Sequence, residues 1–197
     1  MIKRIFQVTT ICLALAVPLS GCTVLALGGA TVGGLALTDR RTVGSQTDDQ
    51  TMEIAIKSQA TSYLRKKGST QHSISVTSYN RNILLLGFVD SEEDKTIIER
   101  IARSQQNVRN IYNYINVGGT YNYAMQDSWI TSKIRTMLLK PNCFSPNHVK
   151  VVTYNGVTYA MGILTAAEQA AATQGISTTA GVQKVVTLYE TFSNSSE

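Results

Sequence analysis

Residues 149–164, VKVVTYNGVTYAMGIL, decide the fold because they form two strand-like runs around a tight turn. Apolar and polar residues alternate before Asn155-Gly156, and a more apolar run follows. Both central residues of a two-residue hairpin turn need positive φ, which Asn and Gly adopt readily. The stretch therefore predicts a β-hairpin.

The same pattern occurs about 75 residues earlier in the chain. Residues 74–89, ISVTSYNRNILLLGFV, align with 149–164, and Gly87 then falls on Gly162. Asn80-Arg81-Asn82 takes the place of the turn. A repeat at this spacing indicates two copies of one supersecondary unit.

Each hairpin leads into a helix and then into a third strand. Ser91 and Asp94 open the first of these helices, and Thr165 and Glu168 form a capping box at the second. Alternating apolar and polar residues predict the last strands at 108–117 and 182–192.

A further helix ahead of each hairpin completes the order α-β-β-α-β, which occurs twice. A helical crossover makes the second and third strands parallel, whereas the hairpin strands are antiparallel. The predicted fold class is α+β, with two tandem units, each a three-stranded mixed sheet with two helices on one face. The predicted segments are 49–117 for the first unit, 118–126 for a linker, 127–192 for the second unit and 193–197 for a disordered tail.

The N-terminus has the order of an export signal that ends in a lipobox. Two basic residues precede an uncharged apolar run, and Leu19-Ser20-Gly21-Cys22 follows it. The small residues before the cysteine predict removal of residues 1–21 as a signal peptide and acylation of Cys22, for example with palmitate. Thr23, rather than an Asp, after the cysteine favours delivery to the outer membrane.

Residues 22–48 are Gly-rich without helical or strand periodicity, which predicts a flexible, lipid-anchored tether. The alternative is an uncleaved anchor helix, because no charge occurs between Ile5 and Thr38 and such a length can cross a bilayer. The glycines and the lipobox favour cleavage. We expect a protein anchored by lipid to the periplasmic face of the outer membrane.

Composition bears on partners and on disulfides. The formal net charge of +5 falls to +3 without Lys3 and Arg4, which is too small for a nucleic-acid binder that relies on bulk electrostatics. Of the three cysteines, Cys12 leaves with the signal and Cys22 is acylated, so Cys143 has no partner for an internal disulfide. We expect Cys143 to be buried, with an intermolecular bridge as the alternative.

The helix that opens the second unit has apolar side chains on two faces. At about 100° per residue, one stripe faces the sheet, formed by Ile130, Ile134, Met137 and Leu138. Trp129 lies outside that stripe, with cations beside it, which is the arrangement of helices that bind at a membrane interface. The pattern predicts phospholipid contact by Trp129, Lys133, Thr136, Leu139 and Lys140.

The alternative for Trp129 is packing against the other unit or its own hairpin, because aromatic side chains often fill cores. The first unit has Thr51 at the aligned position, and we expect Glu53 to pair with Lys57 on the outer face there. Only the second unit is therefore predicted to carry an apolar protrusion.

No catalytic residue, metal ligand or cofactor is predicted. His72 and His148 are the only histidines, and neither has the spacing of a nucleophile–base pair or a metal site. The Gly-rich segment 28–34 lacks the Lys-Ser/Thr of a phosphate loop. We expect a non-enzymatic protein.

The order of these motifs resembles the BON domain, with Gly87 and Gly162 ending the second strands and Val108 and Gly181-Val182 opening the third. Two such domains behind a lipobox resemble the DolP/YraP family of dual-BON outer-membrane lipoproteins. The resemblance extends to residues 39–44, DRRTVG, and 127–131, DSWIT.

The resemblance implies a protein that maintains outer-membrane integrity and gathers at the division site. It also implies binding of anionic phospholipids, phosphatidylglycerol and cardiolipin, through the second BON domain. A monomer without a nucleic-acid partner is expected. The alternative is a periplasmic adaptor whose Trp129 face or exposed sheet face docks envelope or division proteins, or a second copy. A subunit of a secretion machine is a third class.

Overall fold

The computed structural model describes residues 39–139 and 145–193, which belong to one compact unit. The first repeat consists of α1 Val43–Lys67, β1 Ser73–Tyr79, β2 Asn82–Val89, α2 Glu92–Arg103 and β3 Asn110–Val117. The second consists of α3 Ala124–Leu138, a 3-10 turn Pro146–His148, β4 Val149–Tyr154, β5 Val157–Leu164, α4 Ala166–Ser177 and β6 Lys184–Thr191.

Both sheets have the predicted mixed topology. The hairpin strands β1–β2 and β4–β5 are antiparallel, and the third strands pair in parallel with β2 and β5. The α+β fold of two αββαβ units is therefore confirmed. The first hairpin turn is Asn80-Arg81, because β2 already begins at Asn82.

The first helix begins earlier than the sequence analysis expects. Thr42 is its N-cap, with a side-chain oxygen that accepts from the N–H of Ser45, and the helix continues from Val43. The prediction of a tether as far as residue 48 is wrong in this part, since residues 43–48 are helical. Cys22 and Cys143 lie outside the described residues.

The aligned positions Gly87 and Gly162 require glycine for the same structural reason in the two repeats. A Cβ on Gly87 would lie 1.8 Å from the carbonyl oxygen of Ser73, and one on Gly162 would lie 2.6 Å from that of His148. The neighbouring strand therefore leaves no room for a side chain at either position.

An aspartate near the start of each repeat's first helix holds the hairpin turn of the same repeat. Asp49 accepts hydrogen bonds from the N–H groups of Asn80 (2.8 Å) and Arg81 (2.7 Å). Asp127 accepts from Asn155 (2.7 Å) and Gly156 (2.9 Å). Both carboxylates are buried, so each turn depends on one side chain for its backbone partners.

Each repeat has its own core between the helices and one face of the sheet. The first core includes Met52, Ile56, Ile83, Leu85 and Ile98. The second includes Ile130, Ile134, Leu138, Val151 and Ala160.

The opposite faces of the two sheets pack against each other. Tyr79, Leu84 and Leu86 of the first sheet form one cluster with Tyr154, Tyr159 and Met161 of the second. Polar contacts surround this cluster: Arg109 pairs with Glu190 (2.6 Å) and Lys150 pairs with Glu53. The layers are therefore helices, sheet, sheet, helices.

The segment before α1 contacts both repeats through consecutive arginines. Arg40 donates to both carboxylate oxygens of Glu168, at 2.6 and 3.0 Å, and its guanidinium lies 4.1 Å from the ring centroid of Phe192. Arg41 donates to Asp49 and lies over the ring of Tyr79. The segment therefore ties the first repeat to the second.

Replacing the turn-holding carboxylate should destabilise the fold. Asp127→Ala leaves two buried or half-buried N–H groups without their acceptor, and we expect a loss of about 2–4 kcal/mol in the free energy of unfolding. Asp49→Ala should have a similar effect, measured by chemical denaturation. Asp48→Ala is the control, because its pair with Arg81 is one-third exposed and contributes less than about 1 kcal/mol. Equal stability of all three variants would contradict this role.

The Arg40–Glu168 pair predicts a loss of stability in acid. Burial opposes the charged form of Glu168, but hydrogen bonds from Arg40 and the Thr165 backbone outweigh it and lower the pKa of the carboxyl from 4.5 to about 2. The contribution of ionised Glu168 to the free energy of unfolding is complete above pH 4.5 and is lost as the pH falls towards 2. Solvent screening reduces it to about 1–2 kcal/mol.

Denaturation at pH 7 and at pH 3 measures this effect. Glu168→Gln should be less stable than the parent at pH 7, with the difference shrinking at pH 3. Glu92→Gln, an exposed acid in the first turn of α2, should cost less than about 1 kcal/mol at pH 7, because only the helix dipole favours its charge. A pH-independent cost of Glu168→Gln would refute the assignment.

Candidate functional site

The outer face of α3 carries exposed apolar side chains. Met125 is 88% exposed, Leu139 70% and Trp129 66%, while Ile130 and Ile134 on the inner face are buried. The alternative in which Trp129 packs against the other repeat or its own hairpin is therefore wrong. Its role in lipid contact stays a prediction.

The outer face of α3 is the side of the helix opposite the residues that pack into the core. Met125 lies about 180° from Ile134 around the helix, and Trp129 is one turn further along the same side. Because the sheet of this repeat is already covered by α3 on one side and by the other repeat on the second, no described element packs over Trp129.

Shallow grooves lie on both sides of the indole. One is lined by Asn122, Met125, Gln126, Ser128, Trp129 and Ser132. The other is lined by Trp129, Ser132, Lys133, Thr136 and Met137. A ligand in either groove would therefore contact Trp129.

Two of the hydroxyl groups on this face, those of Ser132 and Thr136, are satisfied within the helix. Ser132 Oγ donates to the carbonyl of Ser128 (2.9 Å), and Thr136 Oγ1 donates to that of Ser132 (3.0 Å). Back-bonding of this kind removes their donors from competition with water. The outer face of α3 is thus less polar than its sequence suggests.

Lys133 has a structural contact that the sequence analysis does not foresee. Its Nζ donates to the carbonyl of Ala180, beyond the end of α4. One of the three donors of the ammonium is therefore used within the protein, and Lys133 lines the same groove as Trp129. Lys140 lies outside the described residues.

Three exposed residues of this region were missed from the sequence. Met125 lies four residues before Trp129, Tyr123 is 55% exposed directly before α3, and Arg135 is exposed on its rim. The spacing of Met125 was the available signal, but α3 begins at Ala124 and not at residue 127. Tyr123 is the N-cap residue and provides no side-chain acceptor to the first turn.

The first repeat differs at the aligned helix. The predicted pair of Glu53 with Lys57 is wrong. Glu53 instead accepts hydrogen bonds from the N–H of Ser78 and from Lys150 of the second repeat. Ile54 (72%) and Val43 (71%) are also exposed on α1, but about three turns separate them. They form no continuous apolar face.

One cluster resembles a catalytic arrangement only in composition. Ser69 Oγ lies 3.1 Å from Nδ1 of His72 and donates to Asp90 at 2.7 Å. In a nucleophile–base–acid relay the histidine stands between the other two groups, whereas here the serine does. Among residues 39–139 and 145–193, no cluster of three or more His, Cys, Asp or Glu side chains could hold a metal.

A membrane-spanning helix is not found in the part of the chain that the structure describes. Helices cover one face of each sheet and the other repeat covers most of the opposite face, although Tyr114 and Val117 of β3 are exposed. Docking of a partner on an exposed sheet face stays a prediction.

Comparison with known proteins agrees with this architecture. The BON domain model matches residues 53–119 and 126–188, one match in each repeat. The chain is 28% identical over 174 residues to the outer membrane lipoprotein DolP of Haemophilus influenzae, covering 87% of this chain and 89% of that protein. It is also 30% identical over 150 residues to a 21 kDa hemolysin of Actinobacillus pleuropneumoniae, covering 75% and 76%.

The chain belongs to the BON-domain family and, with its two domains, to the dual-BON DolP/YraP group. Among solved structures, CdsD of the Chlamydia trachomatis type III secretion system matches 60% of this chain and 54% of its own at 17% identity, with a TM-score of 0.29. A likeness this low carries no functional argument.

Proposed function

We propose that this protein is a lipid-anchored outer-membrane lipoprotein that binds anionic phospholipid through the outer face of α3. The observation that carries the proposal is the exposure of Met125, Trp129 and Leu139 on one helix that has no partner over its outer face among the described residues. Acylated Cys22 on the periplasmic face supplies attachment, and α3 supplies a second contact.

The apolar face sets the strength of that contact. Full burial of a large apolar side chain contributes about 1.5–3 kcal/mol, and interfacial insertion removes only part of its area from water. Three such side chains therefore give weak binding on their own. For an anchored protein, the high local concentration of lipid makes weak binding sufficient.

The charges beside this face favour anionic headgroups. Lys133 lines the same groove as Trp129, and Arg135 is exposed on the rim of the helix. An indole at headgroup depth with cations at the level of the phosphates is the usual interfacial arrangement. Phosphatidylglycerol and cardiolipin provide the required charge.

Similarity to the outer membrane lipoprotein DolP supports the outer-membrane location in this proposal. We assign the protein to the maintenance of outer-membrane integrity at the division site. On this assignment the second BON domain contacts lipid, and the first BON domain supports it through the sheet-to-sheet interface.

The substitution Trp129→Glu should abolish binding to vesicles rich in phosphatidylglycerol, because it places a charge at the centre of the inserting face. The measurement is co-sedimentation of the chain from Thr23 onward with such vesicles. Thr51→Glu is the matched control, since Thr51 is exposed at the aligned position of the first repeat. The circular dichroism spectrum and the midpoint of unfolding should not change in either variant.

Two outcomes would overturn the proposed site. One is unchanged vesicle binding by Trp129→Glu, and the other is an equal loss in Thr51→Glu. Spectral changes at α3 on self-dilution, without changes on lipid addition, would instead favour docking of a second copy.

Replacing the cation beside the indole should weaken the preference for anionic lipid. Lys133→Gln should bind such vesicles several-fold more weakly and with a smaller dependence on salt, because one phosphate contact is lost. Lys57→Gln, an exposed cation of α1, is the control. Binding by both variants would be titrated between low and physiological ionic strength, and identical salt dependence would contradict the role of Lys133.

A further inference from the structure

The methionines of this chain differ sharply in exposure. Met52 is 4% exposed and Met161 1%, so both are core residues, and Met137 is half-buried against the second core. Met125 is 88% exposed. The fifth methionine, Met1, lies in the predicted signal peptide that ends before Cys22.

Met125 lies in the first turn of α3 and, viewed down the helix axis, between Trp129 and Leu139 on the outer face. It lies opposite Ile134 around the helix, about 40° from Trp129, and it lines the same groove as the indole. A thioether there is reached by a water-soluble oxidant before it is buried by lipid.

We propose that Met125 is an oxidation site that controls membrane docking of α3. This inference rests on the proposed lipid-binding function. The oxidant class is a peroxide: its terminal oxygen is transferred to Sδ, the O–O bond breaks, and water leaves. The sulfur is oxidised by two electrons and the peroxide is reduced by two. A sulfoxide reductase reverses the change with electrons from a dithiol.

The consequence for docking follows from polarity. A sulfoxide is a strong hydrogen-bond acceptor and must be desolvated when the helix face enters the bilayer, whereas the thioether inserts as an apolar group. Oxidation therefore removes the apolar contribution of Met125 and adds a cost beside Trp129. Loosened docking leaves the lipid anchor in place and frees the α3 face.

Selectivity follows from burial. Met52 and Met161 are enclosed in packed clusters, and the thioether of Met137 would contact any Cβ placed on Gly175 of α4, so it lies in a helix–helix contact. An oxidant reaches Met52 and Met161 only after local opening, and Met137 is partly shielded by its contact with α4. Met125 should therefore react first by a wide margin.

The experiment uses the chain from Thr23 onward with Cys143→Ser, which removes its thiol. Dilute hydrogen peroxide is applied, the site and rate of oxygen addition are mapped by peptide mass spectrometry, and binding to phosphatidylglycerol vesicles is measured before and after. The chain has one tryptophan among nine tyrosines, so fluorescence excited selectively at tryptophan reports on Trp129 alone.

We expect Met125 to oxidise at least tenfold faster than Met52, Met137 and Met161, and vesicle binding to fall several-fold. Met125→Leu should bind like the parent and keep its binding after peroxide, while Met125→Gln should bind weakly without peroxide. Met137→Leu, the matched control on the same helix, should remain sensitive. Treatment with methionine sulfoxide reductases and a dithiol should restore binding of the parent chain.

If the untreated protein binds vesicles and binds them equally well after complete oxidation of Met125, this inference is overturned and the proposed function stays intact. Equal peroxide sensitivity of Met125→Leu would also overturn it. Absence of binding by untreated protein would overturn both.

Discussion

The packing of one sheet against the other is the contact on which the rest of the structure depends. Leu84 and Leu86 of β2 meet Tyr159 and Met161 of β5 across it, and tyrosines from both repeats complete the cluster. Units of this length have small cores, so the shared interface adds burial that neither repeat has alone. It also determines on which side of each sheet the helices pack, because only the outer face of each sheet is left for them.

The candidate site is a result of that layer order. α3 is held to its sheet by Ile130, Ile134 and Leu138, and its outer face meets nothing in the described structure. Exposed large apolar side chains on one helix face are costly in water unless a partner covers them. In the first repeat, the corresponding helix instead directs Glu53 into the interface between the repeats, where it meets Lys150. The same fold thus leaves the outer face of the first helix open in one copy and uses that helix for a contact between the repeats in the other.

The sequence predicted the two hairpins, the repeat and the mixed sheets because these depend on local signals: the Asn155-Gly156 turn, the Ser91 and Thr165 caps and the spaced glycines. Trp129 and Leu139 were also placed outside the core by helical periodicity alone. Met125 was missed because the start of α3 carries no capping side chain to mark it. The Glu53–Lys57 pair was wrong because a partner 97 residues away in sequence competes for the carboxylate.

The sequence by itself determined the order of elements, since turn geometry, capping and periodicity act over a few residues. It also held a signal for the interface: residues 83–86, ILLL, are apolar without alternation, as expected of a strand covered on both faces. Only the tertiary structure decided what covers the second face of each sheet, how Arg40 and Arg41 tie the repeats together, and that no described element covers the outer face of α3. Those outcomes depend on contacts between residues far apart in the chain, for which local sequence carries no signal.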